Sequence, residues 1–177
     1  METYIALLRG INVSGKRIIK MEDLRKHLTT INLTDVKTYI QSGNVIFKSQ
    51  NTDQIELAKL ITVKIEKEYG FNVPVIVLNQ QELKYISENN QFIIERNEDI
   101  TKLAVTFLSE EADAEKSKAL YNLNDQPNEF IVKGKAIYLY CPNGFSNSKL
   151  TINFIESKLK LTASSRNWNT VLKLLDF

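Results

Sequence analysis

The order in which this chain alternates between strand-like and helix-like apolar spacing limits its fold more than any single motif. Tyr4 to Leu8 is a short apolar run, as in a strand covered on at least one face, and Met21, Leu24, Leu28 and Ile31 then recur at helical spacing. Val36 to Ile40 and Asn44 to Lys48 flank Gln41-Ser42-Gly43, a turn composition that folds two strands back on each other. Leu57, Ala58, Ile61 and Ile65 mark a second helix from Asp53 to Tyr69, with Gly70 just behind it. Val73 to Leu78 reads as a fourth strand, with Pro74 near its start where a missing N–H is tolerated. A helix from Gln80 to Asn89 trails the set, with Leu83 and Ile86 facing inward. The plan is βαββαβ, that of a ferredoxin-like sheet.

The same order returns in the second half. Leu103 to Leu108 is a strand, Ala112 to Leu120 a helix, and Phe130 to Lys133 and Ala136 to Tyr140 a hairpin about Gly134. A helix carrying Leu150, Phe154, Ile155 and Leu159, an extended piece at Thr162 to Ser164, and a last helix with Val171, Leu172 and Leu175 complete it. The expected fold is α+β: two ferredoxin-like subdomains with antiparallel sheets, each βαββαβ plus a trailing helix, the plan of an internal duplication. The first spans residues 1–89 and the second 102–177. Residues 90–101 are read as the connector, because Asn89-Asn90-Gln91 and Asn97-Glu98-Asp99 bracket a polar stretch in which Phe92-Ile93-Ile94 packs.

Composition excludes several classes. With 177 residues and 43% hydrophobic residues the chain has the makings of an ordinary core, and no apolar run approaches the roughly 20 residues that span a bilayer. The single Cys141 rules out an intramolecular disulfide, and Met1-Glu2-Thr3-Tyr4 opens a strand rather than a charged leader, so a cytoplasmic protein is expected. A net charge of +2 is too small to imply a polyanionic partner, but its distribution is uneven. Arg9, Lys16, Arg17, Lys20, Arg25 and Lys26 make the stretch from Arg9 to Lys26 basic against only Glu22 and Asp23.

The topology predicts where polar groups meet. In such a sheet the first and third strands are central and antiparallel, so the end of the first strand shares a rim with the tip of the hairpin. That brings Arg9 and Asn12 beside Gln41, Ser42 and Asn44, a guanidinium and amides suited to a phosphate, a carboxylate or a nucleobase edge. In the second subdomain the same logic gathers Asn143 to Lys149 near Arg166, Asn167 and Trp168. There Ser146 or Asn147 is expected to cap a helix, and Trp168 is either core or a stacking platform.

Conventional catalytic chemistry has little support. His27 and Cys141 fall in different halves, which leaves no metal-ligand spacing and no Cys–His or Ser–His pair. His27 is read as an exposed helix residue. Arg9 to Lys16 lacks the spacing of a phosphate-binding P-loop, and Asn44 to Lys48 lacks the aromatic run of an RNA-recognition strand.

Leu7-Leu8-Arg9-Gly10-Ile11-Asn12-Val13, Thr38-Tyr39-Ile40-Gln41-Ser42-Gly43-Asn44-Val45 and Arg166-Asn167-Trp168-Asn169-Thr170 together resemble the DUF1697 family, a bacterial domain family of unknown function. Where that family commonly has two glycines, this chain has Ser14-Gly15. The resemblance implies an α+β fold with ferredoxin-like subdomains in a cytoplasmic bacterial protein, and supplies no activity or cofactor. The residues themselves suggest binding of an anionic small molecule or nucleotide at polar loops between the subdomains, by Arg9, Asn12, Gln41, Asn44, Lys149, Arg166 and Asn167. Two alternatives stand beside this: an enzyme on a phosphorylated or acyl substrate using Tyr39 or Lys16 as acid/base, and a nucleic-acid or protein interaction module working through the basic stretch.

Overall fold

Strand β1 (Glu2–Leu8) lies in the middle of a four-stranded antiparallel sheet of order β2-β3-β1-β4, with β2 (Thr34–Tyr39), β3 (Asn44–Ser49) and β4 (Val75–Asn79). The computed structural model describes residues 1–177 and contains two units, Met1–Leu83 with Phe177, and Lys84–Asp176. In the first, α1 (Met21–Thr29) and α2 (Gln54–Tyr69) supply Leu24, Leu28, Leu57, Ile61 and Ile65 to a core shared with Tyr4, Ala6, Leu8, Val45, Phe47, Val75 and Val77 of the sheet. These strand residues alternate, as the period of two requires. Their neighbours Ile5, Leu7, Ile46, Ile76 and Leu78 are buried as well. Burial on both faces is why β1 reads as a continuous apolar run rather than an alternating one.

Edge strand β2 is polar and irregular. Its register shifts between Thr34 and Lys37, Asp35 adopts a positive φ, and the Asp35 carboxylate pairs with Lys48 at 3.1 Å. A bulged, charged edge resists pairing with another chain. At the other edge, β4 runs into α3 (Gln80–Glu88) through a reciprocal cap. The Glu82 N–H donates to Asn79 Oδ1 at 2.8 Å and the Asn79 N–H donates to Glu82 Oε2 at 3.0 Å. Val73 and Pro74, read above as strand, precede β4; the Pro74 carbonyl instead accepts from the Arg9 N–H at 3.0 Å.

The second unit repeats the arrangement with β5 (Leu103–Leu108), β6 (Glu129–Lys133), β7 (Ala136–Tyr140) and β8 (Ala163–Asn167) in the order β6-β7-β5-β8. Both sheets are therefore ferredoxin-like. Ala104, Leu108, Ile137, Leu139 and Ala163 form one face, packed with Leu120 of α5 (Ala114–Tyr121) and with Ile155 and Leu159 of α6 (Ile152–Leu159). The division between units falls inside α3, and residues 90–101 carry two short helical elements, α4 (Gln91–Ile94) and a 3₁₀ turn (Ile100–Lys102). Phe92 is buried, as its apolar neighbourhood predicts.

Two local expectations are corrected, and the two readings of Trp168 are decided. The helix after β7 is capped by Thr151, whose Oγ1 accepts from the Phe154 N–H, while Ser146 and Asn147 belong to a separate 3₁₀ turn, Phe145–Asn147. The last strand runs to Asn167 rather than ending at Ser164. Ser164-Ser165-Arg166-Asn167 carries no apolar signal, but it completes a ladder with β5. Asn167 then caps α7 (Trp168–Leu174), and Trp168 is 1% exposed, a core residue and not a stacking platform.

Candidate functional site

The first unit brings its expected cluster together. Antiparallel pairing of β1 with β3 sets Leu7 opposite Asn44, and the Leu8 N–H donates to the Gly43 carbonyl at 2.8 Å. The end of β1 and the hairpin tip therefore share one rim. From there the chain enters a loop that turns back on itself: Val13 bridges Lys16 across Ser14 and Gly15, both at positive φ, the geometry of a tight two-residue turn. A Ser in the first of these positions bears a conformational cost that a glycine would not.

Asn12 closes the neck of this loop. Its Oδ1 accepts from the Ile19 N–H at 2.8 Å, and its Nδ2 donates to the Ile19 carbonyl at 3.0 Å and to the Gln41 carbonyl at 2.9 Å. One side chain thus joins both ends of the loop to the hairpin. Asn44 does comparable work in the turn: fully buried, its Nδ2 donates to the Tyr39 carbonyl at 3.1 Å and to Ser42 Oγ at 3.0 Å. Both amides are committed to backbone and turn, so they position the rim rather than reach outward from it.

Cations fill what these amides hold. Lys16, Arg17 and Lys20 are exposed and Arg9 is half-buried, while the sequence has no acidic residue between Glu2 and Glu22. The Arg17 guanidinium lies against Gly10, 3.5 Å from where a Cβ there would stand. Arg25 and Lys26 look elsewhere, to Thr38 Oγ1 at 2.6 Å and to Glu22 at 2.7 Å. Apolar side chains stand among the exposed cations: Val13, Ile18 and Ile40 are each at least half exposed. Ile40 has a φ of 49°, a conformation that costs a β-branched residue on the order of 1–3 kcal/mol.

The residues expected at the rim of the second unit divide. Lys149 Nζ donates to the Asn124 carbonyl at 3.0 Å, and Asn167 Oδ1 accepts from the Thr170 N–H at 2.8 Å. Arg166 alternates with Ser165 on β8, and its Nη1 donates to Ser164 Oγ at 2.9 Å. Ser164 and Arg166 stand opposite Phe107 and Val105, on the face away from Ala104, Leu108, α5 and α6. Lys149 and the Arg166 guanidinium are thereby separated by the sheet. Arg166 is 8% exposed, and burial pulls its guanidinium down to about 10.

Asp125, a residue the sequence reading passed over, holds the 148–150 loop. Its carboxylate accepts from Ser148 Oγ at 2.6 Å and from the Lys149 N–H at 2.7 Å. Burial alone would raise its pKa, but bonds from Ser148, the Lys149 backbone, Asn128 and the Leu150 backbone together hold it below the ordinary carboxylate value. A carboxyl depressed in the folded state stabilises above its unfolded pKa, near 4, and that stabilisation disappears as pH falls through the folded value. We expect the melting temperature to decline below about pH 4, and the decline to be shallower in Asp125→Asn, whose side chain does not titrate; thermal denaturation from pH 3 to 7 checks this. The signal was available as an Asp preceding Gln126-Pro127, but a lone acid in a loop does not announce a partner.

Neither acid/base candidate, Tyr39 or Lys16, lines the hollow beside Met1 and Asn32, the one beside Glu2 and Gln80, or the one beside Ala104 and Thr106. A hollow of the first unit, about 500 Å³, lies at the opposite rim among Met1, Asn32, Gln50 and Leu57, without a cationic side chain. Burial raises the Cys141 thiol to about 11, so it is neutral and unreactive at physiological pH. No helix is long and apolar enough to cross a membrane.

Fold and rim together define a tandem ferredoxin-like α+β protein with a cationic loop edge on its first sheet. The chain belongs to the DUF1697 family: the model described as "Protein of unknown function (DUF1697)" matches residues 1–138. It is similar throughout to the solved structure of conserved bacterial protein SP0830 from Streptococcus pneumoniae. The two share 25% identity at a TM-score of 0.78, over 99% of this chain and 97% of that one. Comparison with curated proteins finds no match.

Proposed function

We propose that this protein binds an anionic ligand, a nucleotide or another phosphate-bearing small molecule, at the loop rim of its first unit. The observation that carries the reading is the Asn12 clamp, which fixes the loop bearing Lys16 and Arg17 to the hairpin tip. Cations held in place before a ligand arrives lose less freedom on binding than cations on a mobile loop. Arg9, Lys20, Gln41 and Ser42 lie on the same edge and complete a set of donors for phosphate oxygens. Asn12 and Asn44 act as the frame of this set.

Titration calorimetry with ATP, GMP and pyrophosphate tests the reading. Lys16→Ala/Arg17→Ala is expected to weaken the ligand that binds by about tenfold or more, the scale of one lost charged hydrogen bond. Absence of heat with all three, or equal affinity in the variant, would remove the proposal.

Exposure of Val13, Ile18 and Ile40 beside these cations favours one second reading, contact with a single-stranded nucleic acid. Apolar side chains next to basic ones suit unstacked bases on a phosphate backbone. An oligonucleotide in the same titrations separates the two: its affinity would fall with salt at a log–log slope of about −0.7 per phosphate neutralised.

A further inference from the structure

The second unit contains a hollow of about 400 Å³ between the side of its sheet that packs with α5 and α6 and the 145–152 segment. Its volume is within the range of small-molecule sites. Leu139 and Ala104 form an apolar floor, Leu150 and Ile152 line the wall, and Phe145 and Ser146 stand exposed at the mouth.

Two hydroxyls interrupt this floor. Thr106 and Ser165 are paired across β5 and β8, and their oxygens lie 2.6 Å apart. They occupy a face that is otherwise Ala104, Leu108, Ile137, Leu139 and Ala163. A hydroxyl pair uses one proton between its members, which leaves a second proton and several lone pairs. Polar capacity set in an apolar surface is costly unless something meets it. The lining also lacks charge: Arg166 is its one residue with an ionised side chain, and that guanidinium serves the other face of the strand. An ionic ligand would lose hydration here without a counter-charge.

We propose that this hollow binds an uncharged amphipathic small molecule, with its apolar body on Leu139, Leu150 and Ile152 and a hydroxyl or amide group on the Thr106–Ser165 pair. The Asp125 bonds to Ser148 and Lys149 keep the wall in place, so the site exists before the ligand enters. It is independent of the rim of the first unit and stands or falls apart from it.

The test uses the full ¹⁵N-labelled chain titrated with benzyl alcohol, toluene, benzoate and benzylamine, read by amide chemical shifts. Benzyl alcohol should give saturable shifts at Thr106, Cys141 and Ser165, and bind at least tenfold more tightly than benzoate or benzylamine. Ser146→Trp, at the exposed mouth, should weaken it tenfold or more with an unchanged melting temperature. Ser165→Ala should erase the preference for benzyl alcohol over toluene. Shifts that never saturate, benzoate or benzylamine binding as well as the alcohol, or full affinity in a folded Ser146→Trp protein would each overturn the proposal.

Discussion

Gly43→Ala is expected to cost about 2–5 kcal/mol of folding stability, a large share of the 5–15 kcal/mol typical of a domain. Two effects add. Gly43 sits at a φ of 85°, where any side chain bears a penalty of about 1–2 kcal/mol. A Cβ built there would also lie 2.7 Å from the Leu8 Cβ and 3.1 Å from both the Leu8 carbonyl oxygen and Ile11 Cδ1. Two of those neighbours belong to a central strand whose N–H bonds the Gly43 carbonyl, so relief requires moving the hairpin away from β1, at a further ~1–3 kcal/mol. Gly15→Ala is the control. Its φ is 71°, yet nothing lies within 4 Å of the new Cβ, so only the conformational penalty of about 1–2 kcal/mol applies. Urea denaturation of both variants measures the difference, and equal midpoints would show that the close approach at Gly43 carries no energy.

Asn12→Ala should cost about 2–4 kcal/mol. It removes three hydrogen bonds, leaves the N–H and carbonyl of buried Ile19 without their side-chain partner, and places Ala at a φ of 53°. Asn12→Gly isolates the hydrogen-bond part, because glycine accepts that φ freely. Hydrogen exchange at the Ile19 amide should accelerate in both variants, since each frees that N–H. If only the Ala variant is destabilised, strain and not the clamp explains the effect.

How much of this was legible in the sequence depends on what each residue's environment leaves in the residue pattern. The double βαββαβ order was readable because strand and helix periods differ, and the meeting of the end of β1 with the hairpin tip followed from the antiparallel central pair. Strand β8 was cut short because Ser164 to Asn167 is polar, and its pairing is dictated by β5 rather than by its own composition. Asn12 and Asn44 were read as ligand contacts. An amide that binds backbone and one that binds ligand look alike in a sequence, and only the positions of the Ile19, Gln41 and Tyr39 carbonyls tell them apart. Arg166 and Lys149 were grouped by strand ends, a description that records the rim but not the side of the sheet. The hydroxyl pair of Thr106 and Ser165 had no linear signature at all, being 59 residues apart.

The Asn12 clamp grips main-chain groups alone, which makes residues 13 to 18 an exchangeable cassette. Since the Ile19 N–H and carbonyl and the Gln41 carbonyl are present whatever side chains follow Asn12, a different six-residue insert can be grafted between the same anchors without disturbing the β-ribbon beneath. On the binding reading proposed above, ligand preference is set by this insert and the scaffold that displays it stays the same.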